Sequence, residues 1–308
     1  MKAIAFAYHN MGIVGLEALR RNGFDVLAVF THEDDPEEYR WFGSVKSWAR
    51  ERGIRVFTPG NVNEPVWVEE IAKFKPDCLF SFYYRQILSE DILRIPAFGA
   101  YNLHGSLLPA YRGRVPVNWA IIKGEKVTGV TLHHMTGKAD AGDIVGQRRV
   151  EIDFYDTART LMDKLCRAAG ELLDELLPRI KAGTAPRITQ DENKATRFKG
   201  RKAEDGKIDW TKPANAIYNL VRAVTRPYPG AFTFLPDGKK LYVWWCLPDE
   251  RYSSDRDEIG SLYSEDGAVY VWAGRGRVRL LEIEAEGKIL KGKEIGAYFQ
   301  SMGEKKLS

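Results

Sequence analysis

The apolar run Ala3-Ile4-Ala5-Phe6-Ala7 is followed by Gly12 and Gly15, and then by a second run, Val26-Leu27-Ala28-Val29-Phe30. Unbroken apolar runs of this length read as strands buried on both faces, and the two glycines mark the mouth of a helix through Leu19. The pattern then repeats. Val45 to Arg50 reads as part of a helix ending at Gly53, and Ile54 to Phe57 as a strand. Val66 to Phe74 reads as a helix with Pro76 beyond it, and Cys78 to Phe82 as a fourth strand. Strands separated by helices predict βαβ units: an α/β, Rossmann-like, mostly parallel sheet with helices on both faces. Ala100 to Leu103 and Gly129 to His133 add two strands. A long helix follows, with Asp156 as its expected N-cap and Leu161, Leu165, Ala168, Ala169, Leu172, Leu173, Leu176 and Ile180 at helical spacing. Gly183 stops it, and Pro178 is expected to kink or shorten its last turn.

Past this helix the character changes. Residues 184–204 are polar and irregular, and a helix from Ala214 to Val224 is ended by Pro227, Pro229 and Gly230. Ala231 to Leu235, Leu241 to Cys246, Ala268 to Trp272 and Val278 to Ile283 are short strand-like runs, which predict a small β-barrel-like (OB-like) domain. The expected organisation is a catalytic domain over 1–190, a linker over 191–210 and a C-terminal domain over 211–308, a length of 308 residues being comfortable for two domains.

With 46 Lys and Arg against 42 Asp and Glu, the net charge of +4 is too mild to predict binding to nucleic acid or membrane. Cys78, Cys166 and Cys246 are scattered, which fits a reducing compartment and predicts neither disulfides nor a metal site. The N-terminal apolar run is too short for a signal peptide, and no later stretch predicts a membrane span, so a cytoplasmic protein is expected.

The stretch richest in chemistry is Tyr101-Asn102-Leu103-His104-Gly105-Ser106-Leu107-Leu108-Pro109-Ala110-Tyr111-Arg112-Gly113-Arg114. Residues two apart on a strand share a face, so Asn102 and His104 emerge together at a strand's C-terminal end, where open α/β sheets place their sites. A carboxamide N–H can stabilise an oxyanion, and an imidazole can move a proton near neutral pH. After the next strand comes Lys138-Ala139-Asp140-Ala141-Gly142-Asp143, where a carboxylate could return to His104. Asp140 is the preferred partner and Asp143 its rival.

Other readings are weaker. Gly12 and Gly15 lack the full dinucleotide fingerprint and read as a strand-to-helix turn. Ser106 has no nucleophile elbow around it and reads as a loop hydroxyl. His133 and His134 face opposite ways on one strand, and read as a packed residue and an exposed one. The acidic run Glu33 to Glu38 reads as a solvated loop that would repel phosphate. The basic stretch from Lys194 to Lys202 reads as a solvated linker, within which Arg201 could clamp a diphosphate through its planar fork.

Taken together, Asn102 to Pro109, Arg112-Gly113 and Ala139 to Asp143 resemble the formyltransferase family that uses 10-formyltetrahydrofolate. Further likeness, in Phe6 to His9, Phe30 to His32, Ser81 to Arg85, Val221 to Val224 and Pro229 to Phe232, is to its branch acting on UDP-4-amino-4-deoxy-L-arabinose, which implies a role in modifying lipid A with aminoarabinose. The resemblance implies Asn102 as transition-state stabiliser, His104 as proton-transfer residue and Asp140 as the group raising the basicity of His104. It also implies folate contacts from Gln86, Ile87, Leu88, Arg114 and the run Thr136, Gly137, Lys138, Ala139, Asp140, largely through backbone atoms. Small-molecule partners are therefore expected: a nucleotide-linked amino sugar and folate, with no metal. Some members of that branch carry an added dehydrogenase, but no second Rossmann pattern precedes Ser308, so decarboxylation is not expected of these residues. The rivals are formylation of methionyl-tRNA, formylation of a dTDP-linked amino sugar, and plain ligand binding without catalysis.

Overall fold

A computed structural model describes residues 1–34, 41–252, 258–302 and 306–308. The acidic run predicted at Glu33 to Glu38 lies outside the described residues from position 35 onward. The chain divides into two compact units, residues 1–116, 127–151 and 162–199 forming one and residues 117–126, 152–161 and 200–308 the other.

Through the first two thirds of the chain the elements are β1 (Lys2–Ala7), α1 (His9–Arg21), β2 (Asp25–Phe30), α2 (Val45–Arg50), β3 (Arg55–Phe57), α3 (Pro65–Lys73), β4 (Cys78–Phe82) and α4 (Glu90–Leu93). They continue with β5 (Ala100–His104), β6 (Arg112–Gly113), α5 (Pro116–Ile122), β7 (Val127–His134), β8 (Ile144–Glu151), α6 (Ala158–Lys181) and β9 (Arg197–Phe198). Seven strands make one sheet in the order β3-β2-β1-β4-β5-β7-β8. The pairings from β3 through β5 are parallel, and β7 and β8 are added antiparallel. The central strands β1 and β4 are buried almost throughout, which is why their sequence shows no alternation.

Several local expectations change. Gly12 and Gly15 lie inside α1, not at its mouth. A Cβ on Gly15 would stand 2.4 Å from the Phe82 ring, so glycine there lets α1 lie against β4, and packing outweighs helix propensity. The cap of α6 is Thr157 instead of Asp156: Thr157 and Thr160 exchange bonds between each hydroxyl and the other's backbone N–H, at 3.2 and 3.0 Å. Asp156 instead accepts from the Asp153 N–H at 2.8 Å. Helix α6 runs through Pro178 to Lys181, and Gly183, at φ 68°, ends it. Strand β8 has no counterpart in the expectations, because its outward positions, Gln147, Arg149 and Glu151, disguise a half-exposed edge strand. Within the stretch read as an irregular linker, β9 pairs in parallel with β6. Gly113 makes that possible: its φ is 99°, and a Cβ would meet the Phe198 carbonyl oxygen at 2.3 Å.

The second unit contains α7 (Ala214–Val224), β10 (Ala231–Phe234), β11 (Lys240–Asp249), β12 (Leu262–Glu265), β13 (Ala268–Trp272), β14 (Arg277–Ala285), β15 (Lys288–Lys291) and α8 (Lys293–Met302). Its strands form an antiparallel sheet of order β10-β11-β14-β13-β12, with β15 on β14. The buried face of α7, with Ile217, Tyr218 and Val221, closes its core.

Candidate active site

Strand β5 ends in Asn102 and His104, the carboxyl ends of parallel strands being where this architecture leaves room for a ligand. Because β7 runs antiparallel to β5, His133 stands directly opposite Asn102. The loop after β7 then turns back and places Asp140 at φ 56°, a left-handed conformation unusual for aspartate.

These four side chains form one cluster. The Asp140 Oδ1 lies 3.5 Å from His104 Nδ1, 3.6 Å from His133 Nε2 and 3.4 Å from Asn102 Nδ2. Its Oδ2 accepts the Gly113 N–H at 2.8 Å. The His104 Nε2 is 2.8 Å from the Tyr111 carbonyl oxygen, which can only accept, so that nitrogen carries the proton and Nδ1 is the basic one in the neutral ring.

A buried scaffold fixes the Asp140 turn. Gln190 Nε2 donates to the carbonyl oxygens of Asp140 and Gly142 at 2.9 and 2.6 Å. Its Oε1 accepts from Arg112 Nε and Nη2 at 3.1 and 2.7 Å, while the remaining reach of that buried guanidinium goes to Glu192 at 2.7 and 2.9 Å. The bidentate pairing compensates the buried charge.

Electrostatics follow from burial. Desolvation lowers the His104 pKa below its ordinary value, outweighing the upward pull of Asp140 and of the Tyr111 carbonyl. The net direction is thus opposite to the raised basicity expected from Asp140 alone, and His104 is neutral at neutral pH. Burial would push Asp140 up, but His104 and the Gly113 N–H hold its carboxyl well below the usual range. The site therefore holds an ionised carboxylate beside a neutral imidazole.

The structure brings Asn102, His104 and Asp140 together. Asp143, the rival carboxylate, is taken by Arg187 at 2.8 Å. Ser106 donates to the Ala110 carbonyl at 2.7 Å as a loop hydroxyl. The reading of His133 as mere packing is corrected: at 1% exposure it is buried, but within the cluster. His134 is half-buried against the Tyr101 ring, with burial lowering its pKa to about 4. The signal for His133 was the antiparallel register, which sequence periodicity does not contain. Gln190 too was missed, because it lies in a stretch without periodicity.

Among the residues implied as folate contacts, the Gln86 side chain bonds Val62 N–H and the Gly60 carbonyl, at 2.9 and 3.0 Å. Leu88 is packed in the core, whereas Ile87 is 65% exposed. Thr136, Gly137 and Lys138 form an exposed turn, Ala139 and Asp140 are half-buried, and Arg114 is exposed while its N–H bonds the Phe198 carbonyl at 3.0 Å. Arg201 belongs to the second unit, where it lies 4.8 Å over the Trp119 ring and donates to the Asp205 carbonyl at 2.6 Å. No group of side chains suited to a metal ion occurs among the described residues.

Comparison with known proteins matches residues 2–177 to the formyl transferase domain and residues 201–299 to the formyl transferase C-terminal domain. The fold is shared with an N-formyltransferase from Helicobacter canadensis solved with folinic acid and dTDP-3-aminofucose: TM-score 0.71 and 22% identity over 91% of this chain and 98% of that one. It is shared with WlaRD, a sugar 3N-formyltransferase solved with dTDP and 5-N-formyl-THF: TM-score 0.69 and 20% identity over 93% of this chain and 98% of that one. HypX from Aquifex aeolicus also matches, with TM-score 0.63 and 19% identity over 97% of this chain, which spans 48% of HypX. With more than half its length matched by the N-terminal model and the C-terminal domain following in order, the chain belongs to the formyl transferase family and is a formyltransferase enzyme.

Proposed function

We propose that the protein transfers the formyl group of 10-formyltetrahydrofolate to the amino group of a nucleotide-linked amino sugar, with UDP-4-amino-4-deoxy-L-arabinose as the acceptor and lipid A modification as the setting. The observation carrying this reading is the convergence of Asn102, neutral His104 and ionised Asp140 at the carboxyl end of β5. The fold neighbours, solved with folates and with dTDP-3-aminofucose or dTDP, support the substrate classes, and the sequence likeness supports the choice of sugar.

The amine nitrogen attacks the formyl carbon, and the carbonyl oxygen takes up negative charge. Asn102 donates an N–H to that oxygen. His104 accepts the departing amine proton at Nδ1, directly or through water, and the adjacent carboxylate stabilises the imidazolium. Collapse breaks the bond from carbon to the folate nitrogen, which leaves with a proton.

The implied folate residues suit the donor. Exposed Ile87 offers an apolar face, and the Gln86 side chain is occupied, so backbone groups of Gln86 to Leu88 and of Thr136 to Asp140 would meet the pterin. Arg114 would meet the anionic tail. The test is incubation with 10-formyltetrahydrofolate and a panel of UDP-sugar, dTDP-sugar and methionyl-tRNA acceptors, read by mass spectrometry as gain of one CO. Asn102→Ala and His104→Ala should lose about a hundredfold or more in kcat. Folded variants at the wild-type rate would falsify the site assignment.

A further inference from the structure

His133 is buried at the centre of the cluster, yet the chemistry described above leaves it without a task. Its Nδ1 lies 2.8 Å from the His134 carbonyl oxygen, an acceptor only, so Nδ1 carries the hydrogen and, in the neutral ring, Nε2 presents a lone pair. That lone pair faces Asn102 Nδ2 at 3.0 Å. The opposite amide orientation would set the Asn102 carbonyl oxygen against the same lone pair, two acceptors face to face. Cross-strand pairing of the two residues fixes the geometry at the backbone as well.

Asn102 has two N–H bonds and uses them unequally. One is held by His133 at 3.0 Å, while the other makes only a 3.4 Å contact with Asp140 Oδ1. The weakly held one is the donor that a formyl oxygen can claim.

We infer that His133 is a positioning residue for formyl transfer: its Nε2 lone pair holds one N–H of the Asn102 carboxamide so that the other is aimed at the developing oxyanion. The inference rests on the proposed role of Asn102. It gives His133 no contact with substrate. It also predicts which replacement works, because a glutamine Oε1 can reach the place of Nε2 and accept the same bond, and leucine cannot.

The test combines His133→Leu, His133→Gln, Asn102→Ala and the double variant Asn102→Ala/His133→Leu, each assayed for kcat and for KM of folate and sugar nucleotide. His133→Leu should lower kcat by up to about a hundredfold, the scale of a misaimed donor, with KM values little changed. His133→Gln should restore most of that loss. In the Asn102→Ala background, His133→Leu should cost nothing further, since the group it positions is gone. A wild-type rate for His133→Leu overturns the inference. So does a glutamine variant as slow as the leucine one, or an equal added loss in the double variant. Where the leucine variant fails to fold, nitrogen-15 NMR of the wild-type ring decides: a protonated Nδ1 with bare Nε2 supports the inference, and the opposite tautomer overturns it. The two readings separate cleanly. Asn102→Ala at the wild-type rate defeats the proposed function, whereas a slow Asn102→Ala beside a fast His133→Leu defeats only the positioning role.

Discussion

Replacing Asp140 with asparagine removes one charge and almost no volume. The variant can still accept the Gly113 N–H through its amide oxygen, the bond that is 2.8 Å long in the wild type. The amide nitrogen then faces His104 Nδ1 across the 3.5 Å gap, where it favours the neutral ring and opposes the imidazolium. At that separation and an effective dielectric of about 20, a unit charge pair is worth about 5 kcal/mol. At 1.36 kcal/mol per tenfold, the ceiling is a loss of about three and a half powers of ten in kcat. Steady-state assays across pH should show that fall. Because the imidazolium loses its counter-charge, the acid limb of the rate profile should move to lower pH. Folding should be little changed, as Gln190 holds the turn through backbone carbonyls. A variant within about threefold of wild type, with an unmoved acid limb, would refute the electrostatic role of Asp140.

Three further outcomes are expected. Burial lowers the folded-state pKa of His32 and of His134 to about 4, with Arg85 adding to the effect at His32 and Arg187 at His134, so each takes up a proton on unfolding. Stability should therefore be full above about pH 6.5 and decline as pH falls toward 4, and His134→Gln should flatten that decline in denaturant titrations. Gly15→Ala should destabilise by about 1–3 kcal/mol, because its Cβ would meet the Phe82 ring at 2.4 Å, as read from the urea midpoint. Thr157→Ala should lose about 1 kcal/mol by breaking the reciprocal cap of α6, whereas Asp156→Ala should leave that cap's two backbone bonds in place.

What the sequence determined by itself was whatever is set locally. Fully buried strands write themselves as apolar runs, as at Phe6 and Phe82, and α6 announces its buried face through spacing from Leu161 to Ile180. Asn102 and His104 share a face because the strand repeat is two, and that needed no coordinates. Tertiary structure decided everything that depends on which strand lies beside which. Only the antiparallel entry of β7 sets His133 against Asn102. Only the return of the chain at residue 190 brings Gln190 under the Asp140 turn, and only β9 on β6 shows why position 113 is glycine. The direction of the His104 shift was likewise hidden. A neighbouring carboxylate is visible in the sequence, but the opposing desolvation arises from the side chains packed around the ring, and burial is a property of the whole fold.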